Sequence, residues 1–229
     1  MRNYLLNEKS RGISDKTLNG IRDVFNSFFG WLWKEGLIEN NPCNNLGPIK
    51  CIKKIRKPYS DSDIEKLKEK CYDVRDKAFI CFMLSTGCRI SEICQLNKSD
   101  INFITLECKV LGKGDKERIV FIDDVTSMLL QRYLSERKDE YDALFIGKGT
   151  CRMTPGGVRA RLKIIAIEAG VENVHPHRFR RTLATNLISH GMAIQDVSMI
   201  LGHEKIDTTM TYVYRDKESV KNSYKKFSY

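Results

Sequence analysis

Residues 175–214 read HPHRFRRTLATNLISHGMAIQDVSMILGHEKIDTTMTYVY, and their periodicity decides how the rest of the chain is read. Leu183, Ala184, Leu187 and Ile188 recur at helical spacing, and Gly191 stands where a left-handed cap would end that helix. Ile194, Val197, Ile200 and Leu201 repeat the pattern in a second short helix that Gly202 can close. Asp207 and Thr208 offer an N-cap for a third, which leaves His203 on a turn. At the entry to the first of these helices, His177 and Arg180 stand three apart, so they share a face where the backbone N–H groups already favour an anion. Taken singly, each has an ordinary reading: a solvated arginine, a satisfied histidine, a core tyrosine.

Taken together, HxxR, then LGH, then a tyrosine nine residues after that histidine resemble the C-terminal signature of the tyrosine recombinase (phage integrase) family. Here these are His177, Arg180, Leu201-Gly202-His203 and Tyr212. Upstream, Thr86-Gly87-Cys88-Arg89-Ile90-Ser91-Glu92 resembles the box around the family's first catalytic arginine, and Gly112-Lys113-Gly114-Asp115-Lys116-Glu117-Arg118 resembles the turn that carries its lysine. The motifs fall in the family's order over residues 58–222, with a weaker match before them.

The resemblance implies a fold that is mainly α with a small antiparallel β-sheet, a catalytic domain preceded by a shortened helical core-binding domain. It also implies site-specific cleavage and rejoining of duplex DNA through a 3′-phosphotyrosyl intermediate, without metal, ATP or another cofactor. The expected catalytic set is Arg89, Lys113, His177, Arg180, His203 and Tyr212. Tyr212 is the expected nucleophile, Arg89 and Arg180 the phosphate clamp, His177 the proton exchanger, Lys113 the acid for the leaving 5′ oxygen, and His203 a further hydrogen bond to phosphate. Tyr214 remains an alternative nucleophile, although the spacing from His203 favours Tyr212. Arg181 departs from the family pattern, in which a second histidine commonly follows the motif arginine.

Composition agrees with an anionic partner. The 229 residues carry a formal net charge of +10 and 41% hydrophobic residues, enough for a core and a basic surface. The absence of a long apolar run predicts a cytoplasmic protein with no membrane partner. The eight cysteines show no metal-ligand spacing and read as free, mostly buried thiols; Cys81, Cys88 and Cys94 flank Arg89, which leaves a redox effect open beside the reading as small core residues.

Along the chain, residues 15–36 are expected to form an amphipathic helix capped by Asp15 and ended by Gly36, in a partial core-binding domain at 1–48. Half the family's usual length precedes Pro48, as expected of a naturally short or a truncated domain. Residues 49–59 are expected to be an extended basic linker whose Lys50, Lys53, Lys54, Arg56 and Lys57 contact the DNA backbone, and 60–229 the catalytic domain with its tail. A helix is expected over 75–84, then strands in which Ile104, Leu106, Cys108 and Val110 alternate and Ile119 and Phe121 answer them across a turn with Lys113 at its tip. A loop is expected over 150–157, and a helix over 158–169 presents Arg159 and Arg161, which with Arg181 complete the expected DNA contacts. The last residues resemble the family segment that docks on a neighbouring protomer, which implies a tetrameric synaptic complex on double-stranded DNA. Two alternatives stand beside the recombinase: a type IB topoisomerase-like enzyme and a recombinase-derived DNA-binding regulator without activity.

Overall fold

The computed structural model describes residues 1–51, 57–112, 114, 116–147, 151–202, 209–210 and 225. Contacts divide the chain into two compact units, Met1–Arg56 and Lys57–Tyr229. The described residues form helices with one small sheet, the α-rich fold with an antiparallel sheet that the sequence implies.

In the first unit, helix α1 (Arg2–Ser10) precedes the long helix α2 (Asp15–Lys34). The N-cap of α2 is Ser14 rather than the expected Asp15: the Ser14 hydroxyl accepts the Thr17 N–H at 3.2 Å, and Asp15 instead places its charge in the first turn, where the helix dipole favours it. Leu18 is fully buried, whereas Phe28, Trp31 and Trp33 are each about half exposed (51%, 52% and 52%), so much of the apolar face of α2 stays uncovered. Asn19 ties α2 to the chain that leaves the unit, donating to Ile49 O at 2.8 Å and accepting Ile49 N–H at 2.9 Å.

The second unit begins earlier than the expected boundary at residue 60. Tyr59 is buried and packs on Phe179 at 4.8 Å, its N–H donates to the Thr182 hydroxyl, and the Arg178 guanidinium lies 4.0 Å above its ring. The end of the expected linker is therefore anchored by its one aromatic residue. Helix α3 (Asp61–Glu69) follows, with a capping box between Ser60 and Asp63.

Helix α4 (Val74–Thr86) is buried on nearly every side, which explains its continuous apolar run, and it packs against α6 (Asp124–Glu136) and α8 (Pro176–Ser189). Phe79 and Phe82 of α4 meet Phe145, which stacks on Tyr133 of α6, forming the aromatic centre of the core. Helix α5 (Ile90–Gln95) leads into the sheet, whose strands β1 (Ile101–Asn102), β2 (Glu107–Leu111) and β3 (Glu117–Phe121) are antiparallel in the order β1-β2-β3.

The first half of the expected strand is instead a turn. Asn102 Oδ1 accepts the N–H groups of Ile104 and Thr105, Leu106 takes a left-handed backbone (φ 58°), and Ile104 is 95% exposed. The local side-chain bond to the backbone outweighs the alternation of apolar residues. Helix α7 (Pro155–Ala169) likewise begins inside the expected loop, with Thr154 as N-cap and Pro155 at the first position, where its missing N–H costs nothing. Gly170 closes it in the left-handed conformation. Helix α9 (Ile194–Leu201) ends on Gly202, also left-handed, as the glycine spacing predicts.

Candidate active site

Three helix ends converge: the C-terminus of α4, the N-terminal part of α8 and the C-terminus of α9. Gly87 caps α4 with φ 59°, and a Cβ there would lie 2.8 Å from Leu201 Cδ2 and 2.9 Å from Leu183 Cδ2, so both conformation and space call for glycine. The turn hands the chain to Arg89, the N-cap of α5, whose backbone N–H donates to the Glu92 carboxylate at 2.7 Å.

Arg180 projects from α8 into the convergence and is only 3% exposed. Its Nη1 donates to Gly87 O at 2.8 Å and its Nη2 to Leu201 O at 2.5 Å, so this guanidinium joins the end of α4 to the end of α9. Arg89 reaches the next carbonyl along, donating from Nη2 to Gly202 O at 3.2 Å, and its Nη1 donates to Glu92 Oε1 at 2.8 Å. The last carbonyls of a helix lack intrahelical partners and carry the negative end of its dipole, which is why cations collect there. With about a third of its side chain exposed, Arg89 remains open to an outside anion.

His177, on the first turn of α8, is exposed. Partial shielding of its ring, followed by the charges of Arg180, Arg89, Arg181 and Arg159, lowers its pKa below the ordinary histidine value. A lowered pKa favours the neutral imidazole, the form that can accept a proton. Glu92 is 5% exposed; burial pushes its carboxyl up, but the hydrogen bonds from Arg118 and from Arg89 N–H outweigh burial and hold it below its usual range.

The structure thus gathers Arg89, His177 and Arg180 in one electropositive place. Lys113, His203 and Tyr212, and the expected DNA contacts Lys53, Lys54 and Arg56, lie outside the described residues. Lys50, Lys57 and Arg159 are exposed, and Arg181 is half-buried beside Arg180. Arg161, about a third of its side chain exposed, pairs inward: its Nε donates to Asp76, a buried carboxylate that also takes Arg75 at 3.0 Å. Its pairing explains why an arginine three or four positions from the apolar residues of α7 turns inward.

Arg118, which motif spacing did not single out, reaches into the same convergence and pairs with Glu92. On β3 it shares a face with fully buried Val120, whereas Ile119 and Phe121, the apolar pair of the expected alternation, are about half exposed, so that alternation carried no signal for its inward turn. Among the described residues there is no group of three or more His, Cys, Asp or Glu side chains placed to hold a metal ion, and no helix is long and apolar enough to cross a membrane. None of the eight cysteines is disulfide-bonded, six of them are buried, and burial pushes Cys88 and Cys94 up to about 11.

The sequence profile of the phage integrase family matches residues 60–219, a span that includes every element of this convergence. The chain belongs to the phage integrase family. Among the recombinases it resembles are tyrosine recombinase XerD of Oceanobacillus iheyensis, 31% identical over 98% of this chain and 79% of the relative, and tyrosine recombinase XerC of Bacillus subtilis, 28% identical over 96% and 77%. The fold recurs in the Tn1549 transposon integrase in complex with transposon right end DNA (TM-score 0.86, 19% identity, 99% of this chain and 84% of that one). It recurs also in the crystal structure of XerA recombinase (TM-score 0.68, 24% identity, 98% and 80%). The chain is a tyrosine recombinase with its Arg-His-Arg cluster set between α4, α8 and α9.

Proposed function

We propose that this tyrosine recombinase cuts and rejoins duplex DNA at a specific site, with Arg89 and Arg180 as the clamp on the scissile phosphate. The observation that carries the reading is the pair of guanidinium groups fixed on adjacent carbonyls, Gly202 O and Leu201 O, beside a histidine whose pKa is lowered. Two planar forks held by protein carbonyls are pre-ordered for the nonbridging oxygens, so little reorganisation is needed as negative charge develops.

The Tyr212 oxygen attacks phosphorus and its proton passes to His177. The bond from phosphorus to the 5′ oxygen breaks, and Lys113 protonates that oxygen as it leaves. His203 adds a hydrogen bond to the phosphate. The 3′-phosphotyrosyl ester keeps the energy of the phosphodiester, so attack by the 5′ hydroxyl of another strand reseals the DNA with no nucleotide consumed. Exchange between two duplexes uses four such chains, one for each strand, which is the tetrameric synaptic complex proposed for this protein. The exposed Lys50, Lys57 and Arg159, with Lys53, Lys54 and Arg56, supply sequence-independent contacts to the backbone.

The test is a nicked suicide substrate carrying the target site identified in the DNA that flanks the gene. The parent and Tyr214→Phe chains are expected to form a covalent DNA adduct mapping to Tyr212 by peptide mass spectrometry, and Tyr212→Phe to form none while binding the same DNA. An adduct on Tyr214 moves the nucleophile; no adduct on any of the three, with DNA binding intact, favours the inactive regulator.

A further inference from the structure

Arg118 makes contacts that the roles above leave unused. Its guanidinium grips Glu92 by both oxygens, Nη1 to Oε1 at 3.0 Å and Nη2 to Oε2 at 2.8 Å, while Arg89 reaches the same carboxylate through one side-chain bond, Nη1 to Oε1 at 2.8 Å. The remaining lone pair of Oε2 takes Arg89 N–H. The carboxylate is therefore saturated, and its forked pairing belongs to Arg118.

The charges decide what this achieves. Glu92 and Arg89 alone would form a neutral pair, and an arginine cancelled by its own carboxylate is a poor anchor for phosphate. With Arg118 present, two cations share one anion and a surplus positive charge remains. The Arg118 side chain is 12% exposed and that of Arg89 35%, so the surplus faces outward at Arg89.

Arg118 also shapes the place where the clamp is built. Its Nε donates to Ile200 O at 3.1 Å, and its side chain lies so close to Gly202 that a Cβ there would stand 3.0 Å from Arg118 Cδ and Nε. Three consecutive carbonyls at the end of α9, Ile200, Leu201 and Gly202, thus take Arg118, Arg180 and Arg89 in turn.

We propose that Arg118 is a positioning residue: it takes up the charge of Glu92 so that Arg89 keeps its own for the phosphate, and it holds the last turn of α9 on which both clamp arginines rest. The proposal builds on the reading of Arg89 as a clamp, so its test has one arm that needs no turnover.

In that arm, inorganic phosphate is titrated into the parent chain and the Arg89 Nε–Hε resonance is followed by NMR; Arg118→Gln is expected to weaken phosphate binding about tenfold, with Arg118→Lys between the two. In the turnover arm, single-turnover adduct formation by Arg118→Gln is expected to fall about 100-fold, the size of a lost donor to developing charge, with DNA affinity within about twofold of the parent. The defect should shrink to about tenfold or less on a site whose scissile linkage is a neutral methylphosphonate, because less charge then needs compensation. It should shrink likewise in a Glu92→Gln background, where the charge that Arg118 offsets is gone.

Equal losses on both linkages, or effects of Arg118→Gln and Glu92→Gln that simply add, with phosphate affinity unchanged, would overturn the proposal and leave Arg118 a packing residue. If the glutamine variant does not fold, the same comparisons on Arg118→Lys decide. Weakened phosphate binding together with no adduct from the parent chain would support the positioning role and remove the enzyme reading instead.

Discussion

Arg89 and Arg180 donate to neighbouring carbonyls, Gly202 O and Leu201 O, yet they are anchored to very different degrees. Arg180 is buried and also holds Gly87 O, so lysine in its place cannot reach both carbonyls and leaves a buried acceptor unmet. Arg89 is partly exposed, and the Glu92 oxygen it bonds keeps Arg118 as a donor when Arg89 is shortened. Arg180→Lys is therefore expected to lose about 2 kcal/mol of stability in urea unfolding as well as adduct formation. Arg89→Lys is expected to unfold within about 0.5 kcal/mol of the parent while adduct formation falls at least about 100-fold. Equal stability losses in the two variants would contradict the difference in anchoring.

A second expectation follows from the charges around His177. Partial shielding of the ring, then Arg180, Arg89, Arg181 and Arg159 lower its pKa. A base works only when unprotonated, so a lowered pKa extends cleavage to lower pH, and removal of a nearby cation must move the acid limb of the rate profile upward. Arg159→Gln, which leaves the clamp intact, should shift that limb to higher pH in single-turnover cleavage without changing the plateau. A downward shift would mean that Arg159 does not act on the imidazole.

Much of this geometry was legible beforehand, and the failures have a common cause. The glycines at 36, 191 and 202, read as helix ends, do take left-handed backbone, which few other residues adopt. Motif spacing picked out Arg89, His177 and Arg180, which the fold brings together although 91 positions separate the two arginines. What spacing could not supply was which arginines face inward. Arg161 and Arg118 each belong to a polar run by sequence, and only the tertiary fold brings Asp76 or Glu92 within reach. The turn at Asn102–Thr105 was misread for the opposite reason: a local side-chain bond outweighed a plausible alternation of apolar residues.

Gly87 and Gly170 make a matched pair for testing the convergence of helix ends. Both have positive φ, 59° and 62°, but a Cβ at Gly170 meets nothing within 4 Å whereas one at Gly87 collides with Leu183 and Leu201. Gly170→Ala should cost about 1 kcal/mol, the backbone term alone, and leave cleavage unaltered. Gly87→Ala should cost about 1 kcal/mol more and slow adduct formation, because displacing Leu201 also displaces the carbonyl on which Arg180 rests. Urea denaturation and single-turnover cleavage of the two variants check this; equal behaviour would show that the close approach at Gly87 relaxes freely.

Arg159 and Arg161, two positions apart on α7, are expected to separate DNA binding from stability. Arg159 is exposed, and its loss should remove one phosphate contact, lowering the slope of log affinity against log salt by about 1 with no change in unfolding midpoint. Arg161 satisfies Asp76 Oδ2, and Arg75 bonds only the other oxygen, so Arg161→Gln leaves a buried carboxylate oxygen short of a donor. That variant should lose about 1–3 kcal/mol of stability while its salt slope matches the parent. Fluorescence anisotropy across a salt series, set beside urea denaturation of both variants, distinguishes them. A reduced slope for Arg161→Gln with unchanged stability would mean that Arg161 leaves Asp76 for the DNA, and that the ion pair between α4 and α7 opens on binding.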